Sequence, residues 1–219
     1  MTIQDDQSSV DPGTITVTGA GWAEAAPDLM LVSIGVECSA ASVTAAYAAA
    51  GRELDAVGSA LHGRGVAPAD IRTAGLGVRA DLSWRDGEGQ KLVGYVASGS
   101  LSVRLRDIAG ASHTVSEAVQ AAGDSVRLNN LQLVLSDDSA VRTQARDAAW
   151  QDALRSAGHY AALASASLGR VVSVVEQHPV PGPVPLAGLQ RASAHDGPSI
   201  EPGVNRGEAT VTVTWELHP

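Results

Sequence analysis

Hydrophobic and polar positions alternate along much of this chain, most regularly from Leu92 to Arg106, LVGYVASGSLSVRLR. Val93, Tyr95, Ala97, Gly99, Leu101, Val103 and Leu105 fall on one side, and Ser98, Ser100, Ser102, Arg104 and Arg106 on the other. A period of two describes a strand with one buried face and one wet face. At about fifteen residues, against the usual five or six, the strand is expected to cross a whole sheet in a central position. It is also expected to bend near Gly99 and to press its Val93/Tyr95/Leu101/Val103 side against helices.

Other stretches alternate in the same way. Ile15–Gly19 reads as a strand, followed by turns at Gly21 and at Pro27-Asp28. Met30–Cys38 follows, with Met30, Val32, Ile34, Val36 and Cys38 on one face and Ser33, Gly35 and Glu37 on the other. Ile71–Trp84 leads into the long strand through a hairpin turn at Asp86-Gly87-Glu88-Gly89. Val126–Leu135 sets Val126, Leu128, Leu131, Leu133 and Leu135 mostly on one side, and the Asn129-Asn130 pair breaks its alternation as a bulge would. Arg170–Gln177 and Glu208–Leu217 are the last strands.

Helical spacing separates them. Val43, Tyr47, Ala50, Leu54, Val57 and Leu61 form an amphipathic stripe, with Ser42 or Ser39 to cap it and Gly63 to end it. Asp107 caps a second helix that stops at Gly123, and Thr114 and Glu117 offer a weaker capping box inside it. Ser136-Asp137 caps the longest, about Asp138 to Ser167, whose packing face is rich in alanine: Val141, Ala145, Ala149, Ala153, Ala157, Tyr160, Ala164.

The order from 30 to 135 is the split β-α-β-β-α-β core of ferredoxin-like α/β (α+β) folds, with an additional long helix and C-terminal strands. In that reading 91–106 is central and parallel to 30–38 through a right-handed crossover. Strands 14–19 and 126–135 compete for the free edge of 30–38. Residues 1–13 are expected to be a disordered lead-in and 14–219 a single domain. The domain carries a loop at 179–207 dense in Pro and Gly, long enough to be mobile or functional.

Composition narrows the possibilities. With no Phe, four Trp and three Tyr, the core must be filled by Ala, Val and Leu. A net charge of −9 argues against nucleic acid or an anionic membrane surface as partner. No apolar run of about eighteen residues exists to span a bilayer. The acidic, polar N-terminus lacks the basic and apolar regions of a signal peptide, so a cytoplasmic location is expected. The single cysteine, Cys38, excludes an intrachain disulfide.

Candidate chemistry is sparse. Gly19-Ala20-Gly21 has the start of a dinucleotide loop, but Glu24 stands where the third glycine belongs and a strand follows instead of a helix, so it reads as a structural turn. The six histidines (62, 113, 159, 178, 195, 218) are scattered, and no metal site is expected. Cys38 reads as a small buried apolar residue, Asp137-Asp138 as helix capping, and Asp28 and Asp70 as turn or cap formers. Trp22, Trp84, Trp150 and Trp215 read as core or interface anchors.

Taken together, ITVTGAGWAEAAPDLMLVSIGV, GVAPADIRTAGLGV with Asp70-Ile71-Arg72-Thr73, GYVASGSLSVRLRD, the helix from Arg146-Asp147-Ala148 to Leu168-Gly169, and the ending SIEPGVNRGEATVTVTWEL resemble the SIMPL-domain family of bacterial and animal proteins. The resemblance implies an α/β domain, ring-like oligomers in some members, and a loose link to oxidative or envelope stress. It implies no established catalytic activity. The expected function is therefore non-enzymatic: self-assembly or protein-partner binding, with no catalytic residues and no cofactor. The alternative is a small-molecule binding protein that uses the 179–207 loop as a lid.

Overall fold

The computed structural model describes residues 13–85, 89–177 and 201–219. The expected disordered lead-in and most of the 179–207 loop, with its lid, lie outside the described residues. In chain order the elements are β1 (Gly13–Ala25), β2 (Leu29–Ala40), α1 (Val43–Gly63), β3 (Ile71–Arg85), β4 (Gly89–Leu105), α2 (Ala111–Ala122), β5 (Val126–Val134), α3 (Ser139–Leu163), β6 (Ser167–Gln177) and β7 (Asn205–His218). The 14–219 span contains two compact units, one made of β1, α3, β6 and β7 and the other of β2 through β5 with α1 and α2.

The first unit is a three-stranded antiparallel sheet in the order β1-β7-β6, backed by α3. Ala145, Ala149, Ala153 and Ala157 of α3 are fully buried. The first three meet Gly19 and Gly21 of β1: a Cβ on Gly21 would overlap the main chain of Ala145 and Ala149, and one on Gly19 that of Ala149 and Ala153. The Gly-Ala-Gly segment is therefore a seat for a helix and not the expected turn, and β1 continues to Ala25. Trp215 is buried and lies 6.0 Å from Trp150 at an interplanar angle of 54°. The start of α3 differs from expectation. Asp138 occupies the capping position without a side-chain cap bond, Asp137 Oδ1 accepts from Ser139 N at 2.9 Å, and Ser136 is engaged elsewhere.

The second unit is a four-stranded sheet in the order β3-β4-β2-β5, with α1 and α2 on one face. β4 is central, as its length demanded. It runs antiparallel to β2, Met30 facing Leu105 and Cys38 facing Ala97, so the expected parallel pairing is corrected. The parallel pair is β2 and β3, between which β4 inserts. β5 takes the free edge of β2, and β1 joins the other sheet, which resolves the competition between them. Asn130, at φ 46°, is the extra residue between the pairs Val32↔Leu131 and Ser33↔Asn129, the bulge the sequence indicated. The bulge preserves the expected side: Val126, Leu128, Leu131 and Leu133 stand opposite Val36, Ile34, Val32 and Met30 on the helix-bearing face. There Val126 and Leu133 pack on the core while Leu128 and Leu131, at the sheet edge, remain exposed.

Met30, Val32, Ile34 and Val36 of β2, Ala97, Leu101 and Val103 of β4, and Ala46, Ala50, Val57 and Leu61 of α1 make the centre of the core. Each large side chain here stabilises the unit by roughly 1.5–3 kcal/mol as an upper estimate. The buried line on α1 is rotated from the expected stripe. Ala46 and Ala50 let the helix sit close to the sheet, while Val43 and Tyr47 remain exposed. Ser42 caps α1 by accepting from Ala45 N, and Gly123, at φ 53°, stops α2.

β4 also extends past β2, whose pairing ends at Ala40↔Tyr95. Beyond that point β3 and β4 continue as a two-stranded arm, and Val93 is the unmatched residue between Asp81↔Gly94 and Leu82↔Leu92. Val93 is consequently exposed, contrary to the expectation that it presses on helices.

Candidate functional site

Among the described residues of the second unit, helices pack on one face of the sheet only, and no strand pairs with the outer edges of β3 and β5. On the uncovered face a cavity of about 600 Å³ is floored by Gly35, Gly75, Gly77, Ser98 and Ser100. Small residues at adjacent positions of three neighbouring strands make the hollow, because nothing projects from them. Glu37 stands at its rim between two guanidiniums, 3.8 Å from Arg79 and 3.3 Å from Arg127, and Asn129 lies alongside. The cluster brings one carboxylate, two cations, two hydroxyls and an amide to one shallow bowl. Such a set can hold a polar ligand by hydrogen bonds.

The second feature is the edge strand β3. Leu76, Val78, Leu82 and Trp84 are exposed by 50%, 37%, 51% and 70%, all on the side that carries the helices. α1 lies over β4 and β2 and barely reaches β3. The result is an open groove of about 500 Å³ between α1 and β3, lined by Tyr47, Leu54, Ile71 and Leu76. Among the described residues no strand pairs with the outer edge of β3. A long apolar edge of this kind is a template for a further strand.

The sequence reading recognised β3 as a strand and missed that its apolar side is left uncovered. The alternating Leu76, Val78, Leu82 and Trp84 were the available signal, but coverage depends on where α1 lands. The Glu37–Arg79–Arg127 cluster was also missed, since its members sit on three strands far apart in sequence.

The residues singled out from sequence are not gathered into one site. Cys38 is a free, buried thiol, as expected. His62 bonds through Nδ1 to the carbonyl of Val66, His113 lies 3.2 Å from Glu117, and the His159 ring lies 6.1 Å from that of Tyr160, tilted by 54°. His178 and His195 lie outside the described residues. Among the described residues no group of three or more His, Cys, Asp or Glu is placed to hold a metal ion, and no helix is long and apolar enough to cross a membrane.

Two carboxylates do structural work. Asp28 accepts from both the hydroxyl and the backbone N–H of Ser136 at 2.6 Å, joining the start of β2 to the end of β5. Those donors, the hydroxyl first, hold its carboxyl below the ordinary value. Asp70, in the short 3-10 turn before β3, is the one buried acid among the described residues and accepts two bonds of 3.0 Å from Arg106, with Arg104 at 3.8 Å. The Arg106 bonds keep its carboxyl low as well. Asp70 therefore ties the turn to the end of β4 rather than acting as a side-chain cap.

Of the tryptophans, Trp215 is core, Trp84 is an exposed edge residue, and Trp22 is exposed beneath the Arg206 guanidinium, 4.5 Å from its ring centre.

The chain is similar to the 26 kDa periplasmic immunogenic protein of Brucella melitensis biotype 1 and to that of Brucella abortus strain S19. Each is 29% identical over 223 aligned positions, covering 98% of this chain and 88% of the relative. Those relatives are periplasmic by name, and this overturns the cytoplasmic location expected from the N-terminal residues. A polar beginning to the sequence was too weak a basis for assigning a compartment. The model of the SIMPL family, described as proteins of unknown function, matches residues 15–215. On that match, which spans both compact units, the chain belongs to the SIMPL family.

Proposed function

We propose that this SIMPL protein works by association, with copies of itself or with a partner's strand, and performs no chemistry of its own. The supporting observation is the edge of β3, where four large apolar side chains are exposed and, among the described residues, no strand pairs with the main chain. Exposure of that kind is costly in an isolated chain and is relieved when another strand adds to the sheet. The names of the relatives support a periplasmic setting, and the stress-related role implied by the resemblance belongs to the same reading. Size-exclusion chromatography with light scattering tests it. Association gives a mass above the 22.3 kDa of one chain that grows with concentration, whereas a strict monomer that also captures no partner overturns it.

The bowl around Glu37, Arg79 and Arg127 favours a second reading, the binding of a small polar ligand. A thermal-shift screen against polar metabolites checks it: a rise in melting temperature that Glu37→Gln abolishes is the expected result.

A further inference from the structure

The geometry points to a second copy of this chain as the occupant of the β3 edge, paired antiparallel about a two-fold axis through Ala80. This inference rests on the association reading above and names its partner and register.

The argument begins with regularity. β3 carries a bulge at Ala74, the unmatched residue between Thr73↔Leu101 and Gly75↔Ser100. From Gly75 to Arg85 it has no further insertion, because the next irregularity falls on β4 at Val93. The regular stretch is centred on Ala80. Strict alternation puts Leu76, Val78, Ala80, Leu82 and Trp84 on one face and Gly77, Arg79, Asp81 and Ser83 on the other. A two-fold pairing must set like face against like face and each residue against its mirror position.

Ala80 is the centre at which the chemistry also matches. Val78 falls opposite Leu82 of the second copy, and Leu76 opposite its Trp84, so all four exposed apolar side chains gain an apolar neighbour. On the other face Arg79 falls opposite Asp81, and the symmetry makes this ion pair twice. Both groups are available for it. The Arg79 side chain is 64% exposed with a single long contact to Glu37, and Asp81 has no hydrogen bond or ion pair among the described residues. Gly77 meets Ser83, both small. Opposite charges and apolar pairs placed directly across an antiparallel ladder favour that register, while a shift by one residue would turn each apolar side chain to the polar face. The two sheets join into one of eight strands, and the apolar groove beside α1 becomes the flank of the shared interface.

The test uses the full chain. Ala80 lies on the axis, so the two copies of Ala80→Cys face each other at the Cα spacing of an antiparallel pair, about 4.5–5.5 Å, within disulfide reach. Val78→Cys is the control, because its two copies lie four residues apart along the ladder, on the order of 13 Å. The native Cys38 is buried and does not compete. Under mild oxidation Ala80→Cys is expected to give a covalent dimer on reducing versus non-reducing gels, and Val78→Cys is not. Arg79→Asp is expected to weaken self-association at least tenfold by light scattering, and adding Asp81→Arg to restore it, with circular dichroism melting checking the fold of each variant. If the native chain associates but Ala80→Cys cross-links no faster than Val78→Cys and the charge reversal does not rescue, the register is wrong while the association reading stands. If the native chain is monomeric at every concentration yet captures a partner, the second copy is ruled out. If it does neither, both fall.

Discussion

Replacing Gly21 with alanine adds one methyl group where the closest main-chain approach in the first unit leaves no room. The new Cβ would overlap the backbone N of Ala149 and the carbonyl O of Ala145. Both obstacles are main chain, so no rotamer change absorbs the overlap and α3 must lift from β1. Overpacking of this kind costs about 1–3 kcal/mol, and a rigid partner puts it at the upper end. Against that, Gly→Ala removes freedom from the unfolded chain and stabilises by about 0.4–1 kcal/mol. The overlap wins by about 2 kcal/mol. For a chain of this size that is a fall in Tm of roughly 4–8 °C. Thermal melting by circular dichroism reads it, and tryptophan emission supplies a local signal, since Trp150 on α3 and Trp215 on β7 are in contact. Ala149→Gly in the same chain should not rescue, because the overlap is with its main chain. Gly58→Ala on α1 is the counter-example: a Cβ there meets nothing within 4 Å, so helix propensity alone predicts a gain of up to about 1 kcal/mol. A Gly21→Ala melt within about 1 °C of the native chain would refute the close-packing argument.

Ile34→Ala, at a fully buried core position, is expected to cost about 2–5 kcal/mol by urea denaturation, with α1 and α2 losing their common support. Asp28 and Asp70 have folded-state pKa values held below the ordinary 3.8, so their contribution is fully present above that value and is lost as pH falls through the lower folded one. In urea melts at a series of pH values, Asp70→Asn should be less stable than the native chain near neutrality, and the difference should shrink only below about pH 4. Trp84 is 70% exposed and Trp215 only 2%, so Trp84→Phe should remove much of the emission that acrylamide quenches and Trp215→Phe little of it.

The strands were legible because a period of two needs only local sequence. The alternation of β4 located its buried side from Tyr95 to Leu105, and the Asn129-Asn130 pair marked the bulge of β5. Strand direction was not legible. The alternation in 30–38 and 91–106 says which face is buried, but the antiparallel pairing of β2 and β4 is set by how β3 and α1 connect them. The role of Gly19 and Gly21 was open in principle. An unbroken alanine face from Ala145 to Ala157 needs a partner surface without side chains, and only a Gly-x-Gly strand supplies one. The candidate sites were the least readable part. Val78 and Trp84 look like ordinary inward-facing strand residues until α1 is seen to stop short of β3, and Glu37, Arg79 and Arg127 meet only through the ladder.

Hydrogen exchange along β3 at several protein concentrations tests the central claim most directly. If the chain functions through association on this edge, the outward-facing amides between Leu76 and Trp84 will be protected in concentrated solution and lose that protection on dilution, while those bonded to β4 stay protected throughout. Rapid exchange of the outward set at every concentration, in a preparation whose mass shows it to be assembled, would place the interface elsewhere and contradict the claim.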